Sequence, residues 1–312
     1  MTVARVATGV ALLAVVLLAG LALYWVLTRP QPLSAEVSAQ AGTPVDAPLA
    51  APGPAASDGK DVFNVAGCAS CHTAPGAEAA DAPVLAGGKR FATPFGTFVA
   101  PNISPDPDAG VGDWSDADLM NAVLRGISPE GSHYYPAFPY ATYTHARPSD
   151  IRALIGYLRG LPADATPSQP HEISFPFNIR RNLGLWKRLF VSQDWVMTDP
   201  PTPEATRGRY LVEALGHCGE CHTPRNILGG PDRDAWLRGG PNPSGKGTIP
   251  DITSAGLDWS QADIAGYLKT GFTPDYDTAG GEMVDVIQNL SKLPQADLDA
   301  IAAYLKAVPV GN

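Results

Sequence analysis

The chain of 312 residues carries 22 Lys and Arg against 31 Asp and Glu, and the resulting charge of −9 disfavours nucleic-acid binding by bulk electrostatics. Its length suits about two domains, and 31 prolines with 32 glycines argue for short helices joined by many turns. The acidic balance reads either as a solubility device or as a docking surface for a partner.

An apolar stretch without a single charge runs from Val6 to Leu27, long enough for one helix across a bilayer, which takes about 20 residues. Arg5 and Arg29 bracket it, and Tyr24 and Trp25 sit near its outer end, where an aromatic belt would lie. A cleaved signal peptide competes with this reading, but its apolar core normally spans only about 7 to 15 residues. Residues 1–29 are therefore read as a transmembrane anchor. Residues 30–57, rich in Pro and Ala and poor in large apolar side chains, are read as an extended tether that lets the following domains sample a range of positions.

A helix from Asp58 to about Ala66 is expected to deliver the pentapeptide Cys68-Ala-Ser-Cys71-His72, and a second pentapeptide, Cys218-Gly-Glu-Cys221-His222, lies in the other half. Cys-x-x-Cys-His is the mark of covalent c-type haem attachment. Two thiols three residues apart on a helical turn reach the two vinyl groups along one haem edge, and the adjacent histidine lies beneath the iron as proximal ligand. A zinc or redox Cys-x-x-Cys pair is the competing reading; two complete pentapeptides that take up all four cysteines leave it little room. Two covalently bound haem c groups are expected. Arg5 and Arg29 balance, so charge does not orient the anchor. Attachment outside the cytoplasmic membrane does, placing the haem domains in the periplasm of a bacterial inner-membrane, single-pass protein.

After the first motif the chain is rich in turns through Gly87-Gly88-Lys89, Thr93-Pro94-Phe95-Gly96 and Asn102-Ile103-Ser104. Ser115 or Asp116 is the expected N-cap of a helix over Ala117–Arg125. A loop follows from Ser132 to Tyr140, then a helix from about Ser149 to Leu161 with Ile151, Leu154, Ile155 and Leu158 on one face. The second half repeats this plan. A helix over Arg207–Ala214 leads to its motif, Thr248-Ile249-Pro250-Asp251-Ile252-Thr253 echoes the Asn-Ile-Ser segment, Trp259-Ser260-Gln261-Ala262-Asp263 matches Trp114-Ser115-Asp116-Ala117-Asp118, and Asp297–Lys306 matches Asp150–Arg159. The expected architecture is all-α, with one domain at 58–161, a connector at 162–203 and a second domain at 204–312. The connector carries Phe175-Pro176-Phe177-Asn178-Ile179-Arg180-Arg181 and Leu185-Trp186-Lys187-Arg188-Leu189-Phe190, which could lie on an anionic membrane surface, dock a partner, or pack between the domains.

A methionine thioether opposite the histidine favours the ferrous state and raises the potential. Met120, Met197 and Met283 are the candidates beyond Met1, and Met283, in the loop before the last helix, is the expected distal ligand of the second haem. The equivalent position in the first half is Phe138, which cannot bind iron. His133 is ranked first among substitutes, ahead of Met120 and His145, and an open or weakly ligated iron stands beside it. His217 is expected to hydrogen-bond near the haem edge or face solvent, His171 to be structural, and Trp114 and Trp259 to wall the haems.

At these residues the chain resembles the membrane-associated multihaem cytochrome c subunits that serve periplasmic alcohol, aldehyde and gluconate dehydrogenases. The resemblance covers Asp58 to Pro309 and rests on both pentapeptides, Thr93-Pro-Phe-Gly-Thr97, Asn102-Ile-Ser-Pro105, Trp114-Ser-Asp116, Tyr135-Pro-Ala-Phe-Pro-Tyr140 and Gly281-Glu-Met283. It implies a repeated class I cytochrome c fold, proximal ligands at His72 and His222, and Met283 as distal ligand. The chain departs from the family's three-haem members in lacking a third motif, and from the Tyr-Pro-Ala-Met-Pro-Tyr form of the loop in carrying Phe138.

The function that follows is electron transfer between a periplasmic dehydrogenase or other redox donor and a soluble cytochrome, an oxidase or a membrane acceptor. No acid/base constellation, phosphate loop or hydrolase triad stands outside the motifs. The rival is a dihaem enzyme, a peroxidase or thiosulfate-type oxidoreductase with an open first iron. A third reading, a purely structural membrane anchor for a partner, sits poorly with two complete haem motifs.

Overall fold

The computed structural model describes residues 2–34, 37, 58–77, 80–242, 245 and 247–309. Most of the tether read at 30–57 lies outside the described residues. Helix α1 (Thr2–Leu27) carries the apolar stretch, and its segment Arg5–Leu27, unburied by the rest of the chain, is long and apolar enough to cross a membrane.

The first half opens on α2 (Gly59–Val65), whose N-cap Asp58 accepts the Lys60 N–H. Gly67, in the left-handed conformation at φ 61°, turns the chain into the one-turn helix α3 (Cys68–His72). Helix α4 (Asp116–Arg125) is closed at its start by a reciprocal box between Ser115 and Asp118, which settles the cap on Ser115. A short helix α5 (Tyr140–Tyr143) and then α6 (Pro148–Arg159) complete this half, and α6 buries Ile151, Leu154, Ile155 and Leu158, the face read from the sequence.

The all-α expectation is corrected in one respect. Strands β1 (Arg90–Thr93) and β2 (Gly96–Val99) form a hairpin around Pro94 and Phe95, and β3 (Glu172–Ile173) of the connector pairs with β2. Strands of two to four residues carry no usable alternation, so they read as loop. The connector then makes a 3₁₀ turn (Arg180–Asn182) and helix α7 (Leu183–Phe190).

In the second half α8 (Pro203–Tyr210) begins before the expected Arg207, because Thr202 caps it through the Ala205 N–H and Pro203 occupies the first turn. A wider turn over Leu211–Leu215 leads to α9 (Gly219–His222). A second hairpin, β4 (Gly240–Pro241) with β5 (Thr248–Ile249), follows. Helices α10 (Gln261–Thr270), α11 (Met283–Leu290) and α12 (Gln295–Ala307) finish the chain, α10 with the same capping box at Ser260 and Asp263.

One helix crossing occurs twice. A Cβ on Gly59 would stand 2.1 Å from Ala153 O of α6, and one on Gly208 would stand 1.9 Å from Ala300 O of α12. Only glycine lets the backbones meet there, and Tyr157 and Tyr304 close each crossing. Buried apolar side chains of both halves, from Val62 and Ile151 to Leu211, Leu298 and Leu305, form one continuous core. Polar contacts also join the halves: Tyr210 Oη donates to Asp150 Oδ2 at 2.5 Å, Lys89 Nζ to Asp285 Oδ2 at 2.8 Å, and Asn289 Nδ2 to Ser70 Oγ at 2.7 Å.

The connector neither hangs free nor fills a groove alone. Its Trp186 stacks edge-on against Tyr140 and donates to Leu228 O, while Phe190 lies against Gly230. Leu189 on the other side is 68% exposed.

A candidate haem site built twice from the same parts

Each motif rides on a single helical turn, which brings two thiols and an imidazole together just after a short helix. His72 Nδ1 lies 2.8 Å from Pro101 O, and His222 Nδ1 lies 2.9 Å from Pro250 O. In both, a Nδ1–H donated to that carbonyl fixes the tautomer and leaves the Nε2 lone pair free for a metal. Burial holds both imidazoles below the ordinary histidine range, so they are neutral at physiological pH.

The segment behind each histidine is also duplicated. The Gly87 N–H donates to His72 O at 2.7 Å and the Gly239 N–H to His222 O at 2.6 Å. Both glycines are left-handed, at φ 74° and 73°, and a Cβ on either would meet a backbone carbonyl within 2.5 Å. Leu85 and Leu237, both fully buried, accept from the Ile103 and Ile252 N–H groups. Sequence reasoning singled out neither the proline carbonyls nor Leu85, Leu237 and Gly239; the echo of Pro250-Asp-Ile-Thr against Asn102-Ile-Ser was the signal that could have found them.

The four thiols are unpaired. Burial pushes Cys68 up to about 12, Cys71 to about 11 and Cys218 to about 12, and it raises Cys221 as well. Such thiols are neutral at pH 7 and are not poised as the activated thiolates of a redox dithiol.

The two motifs lie against each other. His217, immediately before Cys218, holds the left-handed backbone (φ 37°) that Gly67 holds before Cys68. Its Nε2 stands 3.1 Å from Ala66 O, so it reaches across to the first motif rather than to solvent. Tyr143 Oη donates to the same carbonyl at 3.0 Å, and its ring meets His217 edge-on. Helix α11, with Met283 partly exposed at its first turn, runs beside the first motif through Asp285 and Asn289.

The structure places the other candidates as follows. Phe138, at the repeat position of Met283, packs edge-on with Tyr134, Tyr140 and Tyr143. Met120 is fully buried in the core, and Met197 is buried beside Glu213, which accepts its N–H. His145 stacks on Trp195, and His171 accepts from the Val99 N–H. His133, ranked first among the substitutes, has a buried ring with Nε2 2.9 Å from Thr28 O, at the end of α1. The loop spacing suggested a ligand, and a contact spanning 105 residues was invisible to it.

A neutral imidazole with a free Nε2 beside two thiols on one helical turn is what a c-type haem requires, and both sets of residues fit it.

The cytochrome c family model matches residues 56–162. A "Diheme cytochrome c-type" protein of Cereibacter sphaeroides is 54% identical over 297 residues, covering 95% of this chain and 96% of that one. The "Fructose dehydrogenase cytochrome subunit" of Gluconobacter japonicus is 38% identical over 84% of this chain and 54% of its own length. The "Gluconate 2-dehydrogenase cytochrome c subunit" of Pantoea cypripedii is 35% identical over 77% and 56%. The chain thus spans about half the length of these dehydrogenase subunits and nearly all of the dihaem protein. With its geometry and its relatives in agreement, the chain belongs to the cytochrome c family, binds haem c and transfers electrons.

Proposed function

We propose that the chain is a membrane-anchored dihaem electron carrier made of two tandem class I cytochrome c domains, at 58–161 and 204–312, that takes electrons from a dehydrogenase in the periplasm. Cys68, Cys71 and His72 would hold one haem c, and Cys218, Cys221 and His222 would hold the other. Met283 offers its thioether to the second haem and favours the reduced state there. Helix α1 anchors the chain in the bacterial inner membrane, and a soluble cytochrome, an oxidase or a membrane redox protein accepts the electrons. The observation that carries this reading is the duplicated Nδ1 contact to Pro101 and Pro250, which aims both imidazoles alike.

Haem c supplies a one-electron ferric/ferrous couple when bound. The chain's residues position it: Gly87 and Gly239 hold the histidine carbonyls, and the Ala66 carbonyl, shared by His217 and Tyr143, holds the two motifs edge to edge for passage from one to the other. The names of the fructose and gluconate dehydrogenase relatives support a dehydrogenase donor. Nothing supports the dihaem peroxidase reading.

For the first iron, His133 is engaged with Thr28, His145 with Thr142 O and Asp194 O, Met120 is in the core and Phe138 has no donor atom, so His72 is its one protein ligand in this reading. Low-temperature EPR of the ferric protein, with a carbon monoxide difference spectrum of the reduced form, tests this. One low-spin and one high-spin ferric population, with carbon monoxide taken up by a single haem, is expected. Two low-spin signals without carbon monoxide binding would refute the open first iron, and fewer than two haems per chain by pyridine haemochrome would refute the dihaem reading itself.

A further inference from the structure

The end of α1 is gripped by side chains far away in sequence. Arg181 Nη2 donates to Trp25 O at 2.8 Å and its guanidinium lies 3.6 Å from the centre of the Trp25 ring; Arg188 Nε donates to Leu27 O at 2.6 Å; His133 Nε2 faces Thr28 O. Tyr24 Oη donates to Asn182 Oδ1, and Thr28, fully buried, sits on Gly184, where a Cβ would come within 2.5 Å of its carbonyl oxygen. The terminal carbonyls of a helix lack intrahelical partners, and here cationic side chains of the connector serve two of them. The expected freedom of the haem-bearing body on its tether is thereby corrected: the anchor docks directly on that body.

The same connector and the turn that it touches expose large apolar side chains. Leu185 and Leu189 share one face of α7, and α7 reaches the Ile227–Leu228 turn through the Trp186 bond to Leu228 O. Phe95 touches Gly229 of that turn and stacks on Phe177. Phe175 is 77% exposed, Leu189 68% and Ile227 94%. From Phe175 to Val191 there is no acid, in a chain of net charge −9; Lys187 donates inward to Arg125 O and Gly126 O, and Arg180, Arg181 and Arg188 remain as the cations of this segment.

We propose that this rim, formed by Phe175, Phe177, Leu185, Leu189, Ile227 and Leu228, is a monotopic apron that sits in the headgroup layer of an anionic bilayer around the exit of α1. The inference rests on the reading of α1 as a membrane span. The occupant is lipid because the rim adjoins the polar end of that span, where Tyr24 and Trp25 form the aromatic belt. Its mixture of basic and large apolar side chains matches interfacial segments, which bury their apolar face about 5 to 10 Å into the headgroup boundary. Its effect is to hold both haem motifs at one height and one tilt above the membrane.

The test places single spin labels on the full-length holoprotein in vesicles of phosphatidylcholine with one quarter phosphatidylglycerol. Leu189→Cys and Ile227→Cys probe the rim, Leu17→Cys probes the middle of α1, and Tyr276→Cys, 89% exposed in the second half, is the aqueous reference. All four sites are exposed, so labelling leaves packing intact, and haem content verifies each variant. The ratio of oxygen to nickel-complex accessibility at 189 and 227 is expected to exceed that at 276 by roughly fivefold or more. A lipid-like label at 17 with water-like labels at 189 and 227 would overturn the apron and leave the anchor standing. A water-like label at 17 would overturn both. Labels at 189 and 227 shielded from both reagents would show a protein partner covering the rim and overturn the lipid assignment.

Discussion

Phe138 stands where the second half has Met283, in a nest of Tyr134, Tyr140 and Tyr143. Phe138→Met is a near volume-conserving change, and on the proposed ligation it should convert the first haem's high-spin ferric signal to low-spin and abolish its carbon monoxide uptake. EPR and the difference spectrum read this directly, and an unchanged spectrum would place residue 138 away from the iron. Lys187 shows a different dependence on its surroundings. Its Nζ donates to Arg125 O and Gly126 O at the end of α4, yet burial, followed by the nearby Arg125 charge, pushes it down to about 7. Between pH 7 and the ordinary lysine value of about 10.4, the unfolded chain binds a proton that the folded chain does not. This site should therefore make the protein more stable as pH rises through that window. Thermal unfolding at pH 7 and pH 9.5 should show a rise for the native protein that is smaller in Lys187→Met, and equal rises would refute the assignment.

At the scale of elements, the crossing of α8 over α12 depends on Gly208. Gly208→Val puts side-chain carbon against Ala300 O and should lower stability by about 3 kcal/mol, seen as a large drop in the thermal midpoint of the second half. Gly59→Val should do the same at α2 and α6, since the contact is repeated there. Much of this architecture was legible in the chain. Ser115 and Ser260 announced their helices because a capping residue and its acidic partner three positions on are local chemistry. The face Ile151, Leu154, Ile155, Leu158 followed from helical period. The pentapeptides declared themselves because covalent attachment fixes residue types at fixed spacing. What stayed hidden was carried by backbone or by distance. The Pro101 and Pro250 carbonyls are backbone acceptors with no side-chain signature, and the Arg181 bond to Trp25 O joins residues 156 apart.

At the scale of the molecule, the two halves share one core and a set of polar ties, so they respond together to perturbation. Lys89 donates to Asp285 and lies 3.5 Å from Glu282, the residue before Met283, and it also donates to Ser70 O inside the first motif. A double-mutant cycle with Lys89→Met and Asp285→Asn should return a coupling of about 0.5 to 1 kcal/mol, since both side chains are only partly shielded from water. The coupling should shrink as salt is raised from low ionic strength. A value near zero would mean that this ion pair adds nothing to the joining of the halves.

The clamp that Arg181, Arg188 and His133 close on the last turn of α1 also bears on how this molecule meets others. A carrier swinging on a loose leash presents its redox centres to every direction and searches a volume. On the proposed reading of α1 as a membrane anchor, one bolted to it presents a single side to the surrounding water and searches along a plane, so its traffic with a neighbour in the same membrane is governed by their number per unit area and by lateral diffusion. Weakening the bolt would change which collisions are productive without touching a single atom beside the irons.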